Sequence, residues 1–264
     1  GWRQAGEELD GTALANRREP FSIDDLPSET LLLTCGVDVQ HDRLETVTLA
    51  HSRTDTFVVD ARVFWGPVND SDTPWAELDA FLAQTHIHPG GGILRMDAVA
   101  VDSSDGQTMD RVLAFCQPKL SRRIVPIKGA DGQRPAIRPS ATKGQRLFIV
   151  GVDGIKANLS ERLMRGTSIR FSATLDARFF EELASERRVV KYQRGAPKAS
   201  WERIPGKRAE ALDCVVYALA VRNLVGVNLD NREKELSDQG RTVPRQTIVK
   251  SNWLSINTIR EHNH

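Results

Sequence analysis

The chain has 264 residues, with 36 Lys/Arg against 35 Asp/Glu and a formal net charge of +1. That length buries a sizeable core, as one large domain or two small ones, and near-neutrality excludes a wholly basic nucleic-acid coat. No apolar run is long enough to span a bilayer, so no membrane partner is expected, and three isolated cysteines (Cys35, Cys116, Cys214) without a CxxC pair fit a reducing cytosol.

Residues 1–30 are polar and interrupted by Pro20 and Pro27. They read as a connecting arm with a short helix within 6–18. With Gly1 and Trp2 in place of an initiator Met, the chain is expected to be cut from a longer protein. Apolar segments at 31–39, 44–51 and 57–64, split by turn residues, predict three antiparallel strands. "TPWAELDAFLAQTH" predicts a helix capped by Asp72 or Thr73, with Pro74 in its first turn. After a Gly run at 90–92, "DAVAVDSS" predicts a strand ending in Asp102. A helix at 107–119 and a strand at 123–127 follow. "RLFIVGVDGIKANLSERLMRG" reads as strand then helix, "SIRF" as a strand and "DARFFEELASE" as a helix. Residues 187–205 read as a hairpin around Gly195, and "KRAEALDCVVYALAVRNLV" as an amphipathic helix. From about Asn228 the pattern fades, which predicts a flexible or partner-binding tail over 228–264. The expected division is therefore an arm (1–30), one α/β domain (31–227) and a tail.

Asp38 ends an apolar strand, where an unpaired carboxylate loses its hydration. Asp102 ends another. If the two strands are parallel neighbours, both acids emerge at one end of the sheet. Asp213 lies at the edge of the apolar face formed by Leu212, Val215, Val216 and Leu219. Three converging carboxylates repel unless a cation bridges them, and hard oxygen donors suit Mg²⁺ or Mn²⁺. Two such ions at three acids catalyse phosphodiester hydrolysis. Strand-end acids plus an acid on the last amphipathic helix, in this order, are the layout of ribonuclease H-like nucleases: a mixed sheet, antiparallel meander plus parallel strands, flanked by helices. Asp153 is either a fourth acid near the metals or the cap of the helix starting near Ile155.

The charge is uneven. Residues 187–208 hold eight Lys/Arg against the single acid Glu202, and 111–146 are basic with Asp131 as their one acid. Lys191, Arg194, Lys198, Arg203 and Lys207 are the first candidates for contacts to a DNA backbone, with Lys156 and Lys128 as further ones.

The segments "TCGVDVQHDRLE", "AVAVDSSDG", "RLFIVGVDGIKANLSERL" and "KRAEALDCVVYALAVRNL" resemble the nuclease part of large terminase subunits of tailed phages, in the lambda-type group. "WRQAGEELDGTALANRREPFS" resembles the segment leaving the motor domain of such proteins. The resemblance covers about residues 1–225. It implies an endonuclease that cuts concatemeric viral DNA during packaging, with Asp38, Asp102 and Asp213 as catalytic metal ligands and two Mg²⁺ or Mn²⁺ ions. The implied partners are double-stranded DNA, a small terminase subunit, the portal or procapsid, and an ATPase domain of the same protein, all in the host cell cytoplasm. No GxxxxGK[ST] loop occurs, so ATP hydrolysis is not expected of this chain.

Three other readings compete. A non-catalytic DNA- or capsid-docking module would keep the basic hairpin and leave the acids incidental. An actin-like ATPase needs a small Gly- and Thr-rich turn after its first strand, where this chain has the bulky Val-Gln-His-Asp-Arg. A transposase or junction resolvase would use the same acids.

Overall fold

The computed structural model of the chain describes residues 3–5, 8–141, 146–193 and 196–242. The first elements are β1 (Arg3–Ala5), α1 (Gly11–Ala15) and β2 (Arg18–Glu19). Asp10 starts α1, its Oδ1 accepting the Thr12 amide at 2.9 Å. The expected connecting arm is in fact packed on the domain over its described part, because Leu14, Phe21, Ile23 and Leu26 are buried in the common core.

The next three strands make the expected meander: β3 (Leu32–Val39), β4 (Arg43–His51) and β5 (Thr56–Trp65). Every residue of β3 is buried, which fits its near-continuous apolar run at the sheet centre. Helix α2 (Thr73–Leu82) starts behind Asp72, whose side chain makes no cap bond; Ser71 Oγ accepts the Thr73 amide at 3.1 Å. A small hairpin, β6 (His86–Ile87) and β7 (Ile93–Leu94), leads into β8 (Met96–Asp102). Then come α3 (Met109–Cys116), β9 (Ile124–Ala130), β10 (Ile137–Pro139), β11 (Phe148–Gly151) and α4 (Val152–Arg165). The remaining elements are β12 (Ile169–Ser172), α5 (Ala177–Leu183), the hairpin β13 (Glu186–Gln193) with β14 (Ala196–Arg203), α6 (Glu210–Val221) and α7 (Leu229–Thr242).

Among the described residues the main sheet runs β10-β11-β9-β8-β3-β4-β5-β12-β2. Its centre, β5-β4-β3-β8-β9, is an antiparallel meander continued by two strands parallel to β3. This order, third-second-first-fourth-fifth in sequence, is the ribonuclease H-like topology. A separate sheet joins β1 to the hairpin, with Arg3–Ala5 antiparallel to β13.

Helix α6 lies on the central strands, and small residues let it come close. Thr34 is registered with Ala98 and Gly36 with Ala100. Thr34 Oγ1 donates to the carbonyl of Ala218 at 2.9 Å. A Cβ at Gly36 would stand 1.9 Å from the Cys214 carbonyl oxygen.

The segment after Asn228, expected to be loose, is helical over Leu229–Thr242. Its attachment is mostly ionic, which explains its weak apolar pattern. Arg53 reaches Asp230 at 2.5 Å and Glu233 at 2.9 Å, and Arg232 reaches Asp97 at 2.8 Å. One apolar residue, Leu236, is buried, and it crosses so near Gly92 that a Cβ there would be 2.7 Å from the Leu236 Cα. Residues 243–264 of the predicted tail lie outside the described residues.

Candidate functional site

The pleat of β3 sets the site. Side chains two apart share a face, so Thr34, Gly36 and Asp38 all look toward α6. Strand β8 runs parallel to β3 with Val37 opposite Val101, and the next step along both strands brings Asp38 beside Asp102. On the other flank, antiparallel β4 places Glu45 opposite Asp38. Three neighbouring strands therefore carry a row of acids, Asp102, Asp38 and Glu45, beneath the first turns of α6. That helix contributes Asp213 and, one turn later, Tyr217.

The acids in this row have different surroundings. Glu45 is enclosed by guanidinium groups: Arg43 at 2.5 Å, Arg178 at 2.6 Å and Arg208 at 2.7 Å. Glu182 and Glu210 join the same network through Arg178 and Arg208. Asp38, only 6 % exposed, has no cation among the described residues; it accepts from Gln40 Nε2 at 2.5 Å. Asp102 also has no cation among them, and its Oδ1 accepts the Ser104 amide at 3.0 Å and hydroxyl at 2.6 Å.

Burial pushes the Asp38 carboxyl up to about 8; the charges of Asp102, Asp213 and Glu210 add to this, and the Gln40 bond opposes it. Burial also raises Asp102, against hydrogen bonds from Ser104 and the Tyr217 hydroxyl. Asp213 is raised by burial and by the charge of Glu186, against Lys156 and Arg203. The Tyr217 phenol is held well above its ordinary value by burial and then by Asp102, Asp213 and Asp38. These residues thus act on one another as one centre.

The structure brings together Asp38, Asp102 and Asp213. The acids whose charges act most on Asp38 are Asp102, Asp213 and Glu210. Asp153 is not the helix cap, since α4 starts behind Gly151; its Oδ2 accepts the Gly132 amide at 2.7 Å and so secures a loop.

The basic candidates separate. Lys156, read as a surface contact, is buried at 8 % exposure, with Nζ 2.8 Å from Glu186 and 3.5 Å from Asp213. Its long stem follows α4 inward while its ammonium meets two acids from distant segments. Lys207 donates to the Ala184 carbonyl at 3.2 Å. Arg203 is half exposed, 3.8 Å from Asp213. Lys128 follows Ile127, the residue registered with Asp102, so it stands at the same end of the sheet. The backbones of Lys191 and Lys198 are registered opposite each other in the hairpin, and Arg194 lies outside the described residues.

Glu45, Glu186, Glu210 and Tyr217 were missed from sequence. Glu210 and Tyr217 carried a local signal, lying three residues before and four after Asp213 and so on the same helix face; Glu45 and Glu186 carried none.

Among the described residues, no group of three or more His, Cys, Asp or Glu side chains is spaced around a single ion. The donor chemistry nevertheless suits divalent cations. Asp38 and Asp102 are hard oxygen donors, largely dehydrated and without a positive partner among the described residues, and Mg²⁺ commonly takes one or two carboxylates with water and phosphate oxygens.

Fold and site together define a ribonuclease H-like domain with a buried carboxylate centre. Comparison with known proteins makes this specific: the profile of the terminase large subunit gpA endonuclease domain matches residues 1–235, and the chain belongs to that family. It is 27% identical over 239 residues to the terminase large subunit of Enterobacteria phage P21, covering 83% of this chain and 36% of that protein. It is 25% identical over 233 residues to the terminase large subunit of Escherichia phage lambda, covering 81% and 35%. The chain thus spans about a third of the length of these curated relatives. Similar solved structures include the large terminase of a thermophilic bacteriophage, with a TM-score of 0.44 at 16% identity over 78% of this chain and 43% of that one. The human cytomegalovirus terminase nuclease domain gives a TM-score of 0.44 at 12% identity over 81% and 92%.

Proposed function

We propose that this chain is a metal-dependent DNA endonuclease that cuts concatemeric viral DNA during genome packaging. The observation that carries the reading is the pairing of Asp38 with Asp102. The buried carboxylate of Asp38 and the partly buried one of Asp102 stand side by side on parallel strands, with no cation to offset them among the described residues. Family membership supplies the substrate class. One similar solved structure, the human cytomegalovirus terminase nuclease domain, is described as soaked with Mn.

In this mechanism Asp38, Asp102 and Asp213 would together hold the two Mg²⁺ or Mn²⁺ ions. Such ions supply Lewis acidity on both sides of a phosphodiester in an in-line displacement by water. Gln40 and Ser104 orient the two strand acids, and the arginines around Glu45 keep that third carboxylate engaged elsewhere. No side-chain nucleophile is required, so no covalent protein–DNA intermediate forms. Arg203, Lys128 and the β13–β14 hairpin contact the DNA backbone, which gives affinity without base sequence.

The wider setting also belongs to the proposal. The chain works as part of a phage or prophage terminase in the host cytoplasm, with an ATPase motor, a small subunit and the portal or procapsid as partners. The test is cleavage of supercoiled plasmid by the purified chain. Nicked or linear product that needs Mn²⁺ or Mg²⁺ and is indifferent to ATP supports the reading. DNA binding without cleavage under every divalent ion favours the docking module.

A further inference from the structure

The proposed metal centre includes an internal cation. The Lys156 ammonium lies 2.8 Å from Glu186 Oε2 and 3.5 Å from Asp213 Oδ1. Hydrogen bonds from nitrogen fall at about 2.7–3.2 Å. Lys156 is therefore hydrogen-bonded to Glu186 and paired with Asp213 at the longer distance. Both side chains of the bonded pair are about nine-tenths buried, so their attraction is poorly screened.

This division of partners has a consequence for charge. Lys156 with Asp213 alone would form a neutral pair, and a divalent ion would have to displace an ammonium to reach the acid. With Glu186 present, the three groups carry a net negative charge, and the ammonium is drawn toward the far partner. Arg203, at 3.8 Å from Asp213 and half exposed, is screened by water and competes weakly.

Resting on the metal reading above, we infer that Glu186 is a positioning residue of the metal centre: it draws the Lys156 ammonium toward itself, loosens its pairing with Asp213 and so lets that carboxylate take a divalent ion. Glu186 begins β13, the strand that pairs with both β14 and the N-terminal strand β1. The base of the hairpin thereby becomes part of the site.

The test is Mn²⁺ binding to the purified chain, followed by the loss of the free-ion electron paramagnetic resonance signal, with melting in metal-free buffer as the fold control. Glu186→Gln is expected to weaken Mn²⁺ binding by about tenfold or more, because Lys156 closes on Asp213. Glu186→Asp keeps the tether and most of the affinity. The double variant Lys156→Met with Glu186→Gln is expected to regain the lost affinity, since no ammonium remains to compete. Equal binding by wild type and Glu186→Gln overturns the inference. A double variant as weak as Glu186→Gln also overturns it, because Glu186 would then act through the fold. Absence of Mn²⁺ binding in the wild type instead removes the metal reading itself, and the inference falls with it.

Discussion

Gly36 lies so close under Cys214 that a single added methyl group would meet the Cys214 carbonyl oxygen at 1.9 Å and the Ala218 amide nitrogen at 2.9 Å. Both atoms are helix backbone, so no side-chain rotation relieves the contact. Gly36→Ala must lift α6 from β3, and with it Asp213 from Asp38. The expected loss of stability is about 3 kcal/mol or more, at the upper end of overpacking. Urea unfolding of this variant against Ala98→Gly, which changes the same floor without crowding it, separates the close approach from general sensitivity of the core.

Without metal, the domain should lose stability as pH rises from about 4 toward 8. The folded state keeps a proton on Asp38 up to about 8, while the unfolded chain releases it near 3.8. Between those values the native state binds the extra proton, so stability falls by at most about 1.4 kcal/mol per pH unit for this group. Below 3.8 the contribution is fully present, and above about 8 it is gone. Asp38→Asn removes the titration. Melting in chelator from pH 5 to 9 should show a marked fall for wild type and a shallow one for the variant; parallel curves would contradict the argument.

Glu45 and Asp102 flank Asp38 on opposite sides and should answer mutation with opposite signs. Glu45→Gln breaks the hold on Arg43, Arg178 and Arg208. A buried pair with one partner removed typically loses about 3–5 kcal/mol, reduced here to about 2–3 because Arg178 and Arg208 are partly exposed. Asp102→Asn removes a charge that repels Asp38, so in metal-free buffer at pH 8 it should melt at or above wild type. Chemical denaturation of the two variants checks the contrast, and destabilisation by both would assign Asp102 to structure.

Much of this layout was legible in the sequence. The meander and the two strand-end acids follow from apolar runs that stop at Asp38 and Asp102, and β8 does pair parallel with β3. The helix bearing Asp213 follows from its apolar face. Ion pairs between distant segments were not legible. Lys156 and Glu186 are 30 residues apart, and Glu45 and Arg178 are 133 apart. Nothing in local pattern distinguishes a buried, paired lysine from a solvated one. The same limit hid α7, which docks by arginine–carboxylate pairs around one buried leucine, and the N-terminal arm, whose few apolar residues insert singly into the core.

The central claim is that Asp38, Asp102 and Asp213 form the metal centre, and the most direct measurement is the melting-temperature shift produced by Mn²⁺. Ions that bind the folded cluster and not the unfolded chain stabilise by linkage, about 2.7 kcal/mol at a hundredfold excess over the dissociation constant. Wild type should show a saturable upward shift, and Glu45→Gln, whose carboxylate is engaged by arginines, should show a shift of similar size from a lower starting point. Asp38→Asn should show almost none, because it removes the buried carboxylate at the middle of the proposed centre. An equal shift in wild type and Asp38→Asn would place the metal elsewhere and contradict the account.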